Sequence, residues 1–412
     1  MTFINSQSQR VEISPESLGR GGEGQVSRVV GAADLVAKIY HQPTDDQWAK
    51  TDFMLKHPVP AANGRLWVTW PVELLFTDDA SPKFSGYLMP RLKRSHQLFT
   101  YYTPSLRQRN CPGFTYRHLV RSAHNVAAAF NLAHAHRYVI GDPNESNIFL
   151  NQHGFAILID ADSWQIVDDV SGWVYRSVVA KPELLPPELQ NRNLSSIIRQ
   201  PWHDNFSLAV LLFKLINEGT HPFDGIYDGG GEVPAIESRI AAGTFPYVKG
   251  AGGWRPKEVA LQFNGLHPCL QKLFLQAFVT GHRRPELRPN AKAWQLAFAR
   301  AERDLKVCQQ NSHHWFWGNT CVWCQRKRLL GGLDPFPGGE SAVRRTFTAT
   351  TPVAPIPVPV PQPPPMQAPP QPNVPRRTLT GWVITERYYI YGAIIAALAI
   401  ILFKLFRIRN AN

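Results

Sequence analysis

Residues 139–151 read VIGDPNESNIFLN. A polar loop carries Asp142 and Asn147 five positions apart, with the strand-like run NIFLN behind it. Ahead of it lies RHLVRSAHNVAAAFNLAHAH, which places Leu119, Val120, Ala123, Val126, Ala127 and Phe130 on one face at a spacing of three to four residues, the signature of an amphipathic helix. A helix, a polar loop and a strand thus bring a carboxylate and an amide to one spot. In the D-x-x-x-x-N spacing the Asp can receive a hydroxyl proton and the Asn can hold a metal.

Downstream, the apolar run of ILIDADS ends in Asp160, thirteen residues after Asn147. An Asp at a strand end beside an Asn is a pair of hard oxygen donors suited to Mg²⁺. Each Asp alone also reads as a helix cap or turn residue. Upstream, LGRGGEGQVSRVV holds Gly19, Gly21 and Gly24 in a G-x-G-x-x-G pattern followed by Val26. A dinucleotide site needs a helix after those glycines, whereas QVSRVV is a strand pattern. The glycines therefore sit in a β-hairpin, either an ordinary one or one that folds over phosphates. Twelve residues after Val26 comes VAKIY, with Lys38 in an apolar strand, where an anion would justify a lysine; a surface lysine on an edge strand is the plainer alternative.

The ordered series of Gly loop, Lys, Asp with Asn, and Asp resembles the eukaryotic-type protein kinase superfamily over about residues 15–300. LGRGGEGQV resembles the glycine-rich loop, VAKIY the lysine strand, GDPNESNIFL the catalytic loop and LIDADS the metal-binding D-F-G turn. PPE at 186–188 resembles the end of the activation segment, DNFSLAVLLFKL the buried helix after it, and HRRPELRP the late Arg-Pro element.

The resemblance implies an α+β, bilobal protein-kinase-like fold with a β-rich N-lobe over about 1–92 and an α-rich C-lobe over about 93–300. It implies ATP and Mg²⁺ (or Mn²⁺) as cofactors. Asp142 and Lys38 would be catalytic. Gly19, Gly21, Gly24, Val26, Ala37, Lys38, Met89 and Leu92 would line the ATP site, with Met89 as gatekeeper and the backbone of residues 90–92 meeting adenine. Asn147 and Asp160 would hold Mg²⁺, with Asp162 either adding a carboxylate or capping a turn. Asp204 would hold the catalytic-loop backbone, and Arg288 would pair with Glu188. The implied activity is Ser/Thr protein phosphorylation; the rival is a nucleotide-binding pseudokinase scaffold.

Five departures from the family pattern stand out. Gly141 replaces the Arg that reads a phosphorylated activation loop, and Asn144 replaces the Lys that touches the γ-phosphate. Val-Ala-Lys lacks the residue that usually separates Ala from Lys, and Asp162 takes the Gly place of D-F-G. No Glu follows Lys38 to pair with it; QPTDDQWAKTDFML offers Asp45, Asp46 or Asp52. The pattern GDxNESN…DxDS resembles a bacterial kinase subgroup often encoded beside a von Willebrand A-type protein and a metal-dependent Ser/Thr phosphatase, which are the implied protein partners.

The last third of the chain has a different make-up. CQQNSHHWFWGNTCVWC offers Cys308, His313 or His314, Cys321 and Cys324, a thiolate and imidazole set suited to tetrahedral Zn²⁺, within an expected module at 301–334. A redox C-x-x-C or a pair of buried thiols is the alternative. Residues 335–387 form an expected Pro-rich linker, since Pro lacks the N–H and fixes φ; its stretch 351–375 spans on the order of 75 Å if extended. Residues 388–406, YYIYGAIIAALAIILFKLF, amount to roughly 28 Å of helix, close to the hydrocarbon thickness of a bilayer. They predict a single C-terminal transmembrane helix in the inner membrane, with a short basic tail at 407–412 and the kinase-like part in the cytoplasm; a buried helix is the alternative.

Bulk composition agrees with this division. The 412 residues are 44% hydrophobic and include 12 Trp, enough for a sizeable core. Five Cys do not make a disulfide scaffold and fit a reducing compartment. The opening MTFINSQSQRVEIS has no apolar run of the signal-peptide kind. A net charge of +13 favours acidic partners such as nucleotide phosphates or an anionic membrane, or is a solvated surface; nucleic acid is not the expected partner.

Overall fold

The structure is a computed structural model and describes residues 1–59 and 65–338. Six strands, β1 (Thr2–Asn5), β2 (Arg10–Arg20), β3 (Gly24–Val29), β4 (Leu35–Tyr40), β5 (Glu73–Thr77) and β6 (Phe84–Pro90), form a closed barrel in the order β1-β2-β3-β4-β6-β5. All neighbours are antiparallel. Closure comes from β1, which pairs with β2 on one side and β5 on the other, placing Phe3 opposite Thr77.

The period of two along β4 divides its side chains. Leu35, Ala37 and Ile39 join Ile13, Leu75 and Leu88 in a cluster fed by all six strands, which is the barrel interior. Val36 and Tyr40 take the other face with Tyr87 and Met89, and Lys38 shares that face with them. Helix α1 (Asp45–Lys56) follows β4; Thr44 and Gln47 form its capping box.

The rest of the chain is mainly helical. Helices α2 (Leu98–Tyr102), α3 (Pro104–Asn110), α4 (Tyr116–Ala135), α5 (Pro201–Ile216), α6 (Ile236–Ala242), α7 (Pro268–Leu275), α8 (Gly281–Arg283) and α9 (Ala291–Arg303) accompany a three-stranded sheet of β7 (Ser95–Gln97), β8 (Ile148–Asn151) and β9 (Ala156–Leu158). Helix α4 buries the face its spacing predicts, Leu119 to Phe130, and α5 is buried along nearly its whole length. This mixture of helix and strand is compatible with a kinase-like fold.

After α9 a short ribbon pairs Lys306–Val307 with Trp315–Phe316, and helix α10 (Val322–Leu329) follows. This segment packs into the main core. Trp323 is fully buried, 4.7 Å between ring centroids from Tyr116 of α4 and 4.7 Å from Phe336. Arg107 of α3 donates to the Pro335 carbonyl at 2.9 Å.

The expected inner-membrane location is corrected. Among the described residues no helix is long and apolar enough to cross a membrane. The longest, α4, carries Arg117 and Arg121 and buries one face against the core, and α5 has 16 residues. The stretch 388–406 on which that expectation rested, like the Pro-rich stretch 351–375, lies outside the described residues.

Candidate active site

The loop after α4 is held from below by α5. Asp204 accepts the backbone N–H of Ile140 at 2.7 Å and of Gly141 at 2.9 Å, and His134 of α4 contacts the same carboxylate at 2.9 Å. Gly141 has φ of +75°, and a Cβ there would lie 2.3 Å from Ser177 Oγ. Any side chain is therefore both strained and blocked at the place where the resembled family has Arg. Arg199, just ahead of α5 and buried, donates to the carbonyls of Gly141 and Val179. The Asp142 loop and the stretch 177–179 are thus joined by a guanidinium. Farther along, Arg288 grips Glu188 with two bonds of 2.6 and 2.7 Å.

Within the loop, Asn144 donates to Asp142 Oδ2 at 2.8 Å, and Asn147 donates to the Asp142 carbonyl at 3.3 Å. Burial raises the pKa of Asp142; the Asn144 hydrogen bond opposes that rise, and Asp160 adds to it. The Ile159 N–H bonds to the Asn147 carbonyl at 2.9 Å, so the chain leading to Asp160 is tied beside Asn147.

Asp160 itself has φ of +61° and opens a tight turn through Asp162. Lys38 reaches both carboxylates, with Nζ 2.6 Å from Asp160 Oδ1 and 2.8 and 2.7 Å from the two oxygens of Asp162. Asp162 also accepts the hydroxyls of Tyr40 at 2.6 Å and Tyr87 at 2.8 Å. Burial works to raise the pKa of Asp162, but Lys38 and the hydroxyls of Tyr40 and Tyr87 together outweigh it and hold the carboxyl below its ordinary value. Burial likewise opposes the charge on Lys38, and Asp162 and Asp160 reverse that and keep it protonated.

The acid that pairs with Lys38 inside the protein therefore comes from the turn and not from α1. In exchange, α1 sends Lys50 inward, which donates to the carbonyls of Asp162 and Trp164, each at 2.5 Å. Burial pushes Lys50 down to about 8. None of the acids considered on α1 pairs with Lys38: Asp45 and Asp46 are exposed in its first turn, Asp46 lining the cavity beside Lys50, and Asp52 pairs with Lys56. A cavity of about 620 Å³ opens beside this cluster, lined by Glu23, Lys50, Asp162, Trp173, Tyr175 and Val178.

The remaining ATP-site candidates divide by strand face. Val26 pairs with Lys38 across β3 and β4, Met89 pairs with Val36 across β4 and β6, and the three apolar residues belong to one cluster on the Lys38 face. Ala37 does not join them; it points into the barrel with Ile13 and Leu75. The reason is the missing residue in Val-Ala-Lys, which puts Ala and Lys on opposite faces and leaves Val36 beside Lys38. Leu92 lies just past β6, half-buried. In the Gly hairpin the Gly21 N–H bonds to the Gly24 carbonyl at 2.9 Å, and a Cβ on Gly24 would lie 2.4 Å from the Ile39 carbonyl oxygen.

Similarity to named proteins falls on the same side as the geometry. The chain is similar to protein kinase YegI of Escherichia coli O157:H7, 32% identical over 319 residues, which cover 74% of this chain and 48% of that protein. It is 31% identical over 324 residues to protein kinase YegI of Escherichia coli strain K12, covering 74% and 47%. These matches support a protein-kinase-like family. It spans about half the length of the curated relatives it matches. No protein-family model matches it.

A second cluster lies in the segment after α9. One ligand atom each from Cys308, His314, Cys321 and Cys324 falls within 4.8 Å of the others. The sulfurs of Cys308 and Cys324 are 3.6 Å apart, far beyond a disulfide bond and near the roughly 3.8 Å edge of a tetrahedron with Zn–S of about 2.3 Å. His314 Nδ1 lies 3.6 Å from Cys321 Sγ and 3.5 Å from Cys324 Sγ. Its Nε2 meets Asp334 at 2.8 Å, an orienting carboxylate of the kind that accompanies metal-bound histidines. The donor set fits zinc, and it uses His314; His313 lines a separate cavity with Arg107 and Phe336.

Sequence reading missed Lys50, Tyr40, Tyr87 and Arg199 as site residues. Lys50 had a signal, since it shares the buried face of α1 with Thr51 and Met54. Tyr40 had one too, two residues beyond Lys38 and so on its face of the strand. Arg199 and Tyr87 reach the site through tertiary packing and carry no local signature.

Proposed function

We propose that this chain is an ATP-dependent Ser/Thr protein kinase of the GDxNESN type. The observation that carries the reading is the convergence of Lys38, Asp160, Asp142 and Asn147 between the barrel and α5, held in place by Asp204. Val26, Val36 and Met89 offer an apolar face for the adenine ring. The Gly hairpin lets backbone N–H groups approach phosphate oxygens. Lys38 would hold the α- and β-phosphates, drawing away from Asp160 while Asp162 keeps its charge balanced.

Asp160, with a carboxylate 38% exposed, and Asn147, whose amide donates only its N–H to Asp142, are the residues that would hold Mg²⁺. Bound there, the ion supplies charge neutralisation on the phosphates. Asp162 is taken up by Lys38 and the two tyrosines and serves Lys38 instead. Asp142 orients the substrate hydroxyl. Its oxygen attacks the γ-phosphorus, the bond to the ADP oxygen breaks, and the hydroxyl proton passes to the Asp142 carboxylate. The Cys/His cluster is proposed to hold a structural Zn²⁺.

Transfer of radiolabel from ATP to protein, with the full chain compared with Asp142→Ala, tests the reading. The expected result is label with the wild type and at least about a hundredfold less with the variant. Equal incorporation by both proteins sinks the mechanism.

A further inference from the structure

Asn144 occupies the position of the lysine that touches the transferred phosphate in the resembled family. Here it is 4% exposed, and its amide is committed to Asp142. Phosphoryl transfer needs positive charge at this point, because charge is spread over the oxygens of the group in flight. Other cations around the loop are already engaged. Lys38 is bound by two carboxylates, Arg199 by two carbonyls, Arg288 by Glu188, and Lys214 by Glu145 at 3.2 Å.

Lys181 is placed differently. It lies between Ser177 and Glu188, on the stretch that Arg199 ties to the catalytic loop. Its charge and its backbone N–H both act to lower the pKa of Asp142, the proposed base. Its ammonium is 3.8 Å from Glu145 Oε1, a carboxylate that Lys214 approaches more closely, and its side chain is 37% exposed. The Glu145 carboxylate is only 14% exposed, but it is divided between two lysines and Lys181 makes the longer contact. The ammonium thus rests against Glu145, three residues past Asp142 in the same loop, and shares that carboxylate with Lys214.

Resting on the protein-kinase reading above, we propose that Lys181 is a catalytic residue that leaves Glu145 and places its ammonium on the phosphoryl group passing to the hydroxyl held by Asp142. The activation segment then supplies the charge that the catalytic loop has lost. The transfer adds no further reactant: Lys181 stays protonated throughout, and the substrate proton still goes to Asp142.

The test uses the full chain with Lys181→Ala and Lys181→Arg. A group that acts on the transition state changes kcat and spares KM. Lys181→Ala should lower kcat about a hundredfold, as loss of one transition-state donor does elsewhere. Its KM for ATP should stay within about threefold of wild type. Lys181→Arg keeps the charge and should recover to within about tenfold of wild type. Calorimetry gives a readout without turnover. Addition of aluminium fluoride, a mimic of the phosphoryl group in flight, should tighten Mg-ADP binding to wild type at least about tenfold. Lys181→Ala should bind Mg-ADP alone as wild type does and lose that gain.

A Lys181→Ala protein with undiminished kcat, or with the fluoride gain intact, overturns the proposal while leaving the kinase reading standing. Equal losses of Mg-ADP binding and thermal stability in both variants would mark Lys181 as structural and overturn it as well. A wild-type chain that neither transfers phosphate nor binds Mg-ADP takes down the kinase reading and this proposal together.

Discussion

Replacing Asp162 with Asn tests the exchange of acid and base between the turn and α1. The two side chains have nearly the same shape, so the change removes charge and leaves volume. In the native protein Lys38 meets both Asp162 oxygens at 2.7–2.8 Å and one Asp160 oxygen at 2.6 Å. Asp162→Asn leaves Lys38 with Asp160, whose carboxylate is partly in water. Breaking a buried pair costs about 3–5 kcal/mol. The surviving Asp160 contact puts the expected loss at the low end, about 3 kcal/mol. That corresponds to a fall in Tm of roughly 5–10 °C. Lys38→Met should cost a similar amount, because it strands the Asp162 carboxylate with only two tyrosine hydroxyls. The double variant removes both charges and should cost far less than the sum, with a coupling of about 2–3 kcal/mol. Chemical denaturation of the full chain without nucleotide measures all four proteins. Losses that add to within about 0.5 kcal/mol would refute the pairing.

Acid should destabilise the protein through His118, His203 and His221, which burial holds down to about 4. The unfolded chain takes up their protons near pH 6.5, so stability should fall as pH drops from about 6.5 towards 4; a Tm that stays flat over that window contradicts the burial account. Lys50 acts at the other end. With its folded pKa at about 8 and its unfolded value near 10.5, the folded state releases a proton first, so its contribution to stability rises with pH between those values. Lys50→Met should remove that part of the rise, measured by the difference in Tm profiles. The Cys/His cluster should carry one zinc per chain by metal analysis, with chelation lowering Tm, and Asp334→Asn should weaken zinc binding about 10- to 100-fold through His314. Zinc content unchanged in Cys324→Ser would remove this cluster as the site.

Much of the site was legible because it depends on local order. The spacing around Asp142 and Asn147, the face of α4 and the strand holding Lys38 all follow from short-range pattern. Failures came where a residue's meaning depends on what faces it. Ala37 was expected at the nucleotide because its neighbours match a family pattern, yet one missing residue turns it into the barrel. The counter-ion of Lys38 was sought on α1, where a carboxylate is usual, while the residue with that job sits at 162 and α1 holds a lysine. Choosing His314 over His313 needed Asp334, twenty residues away. The closing strand β1 has its second partner more than sixty residues downstream, so nothing near it announces a barrel.

That closure also limits how other chains can bind. An open sheet offers a row of unpaired N–H and C=O groups to which an extended peptide can add as one more strand, in recognition or in aggregation. Here β1 bonds to both β2 and β5, so the barrel has no outer strand to lend. Partners of the barrel must be recognised through side chains and loops, and the same seam guards it against strand-by-strand self-association.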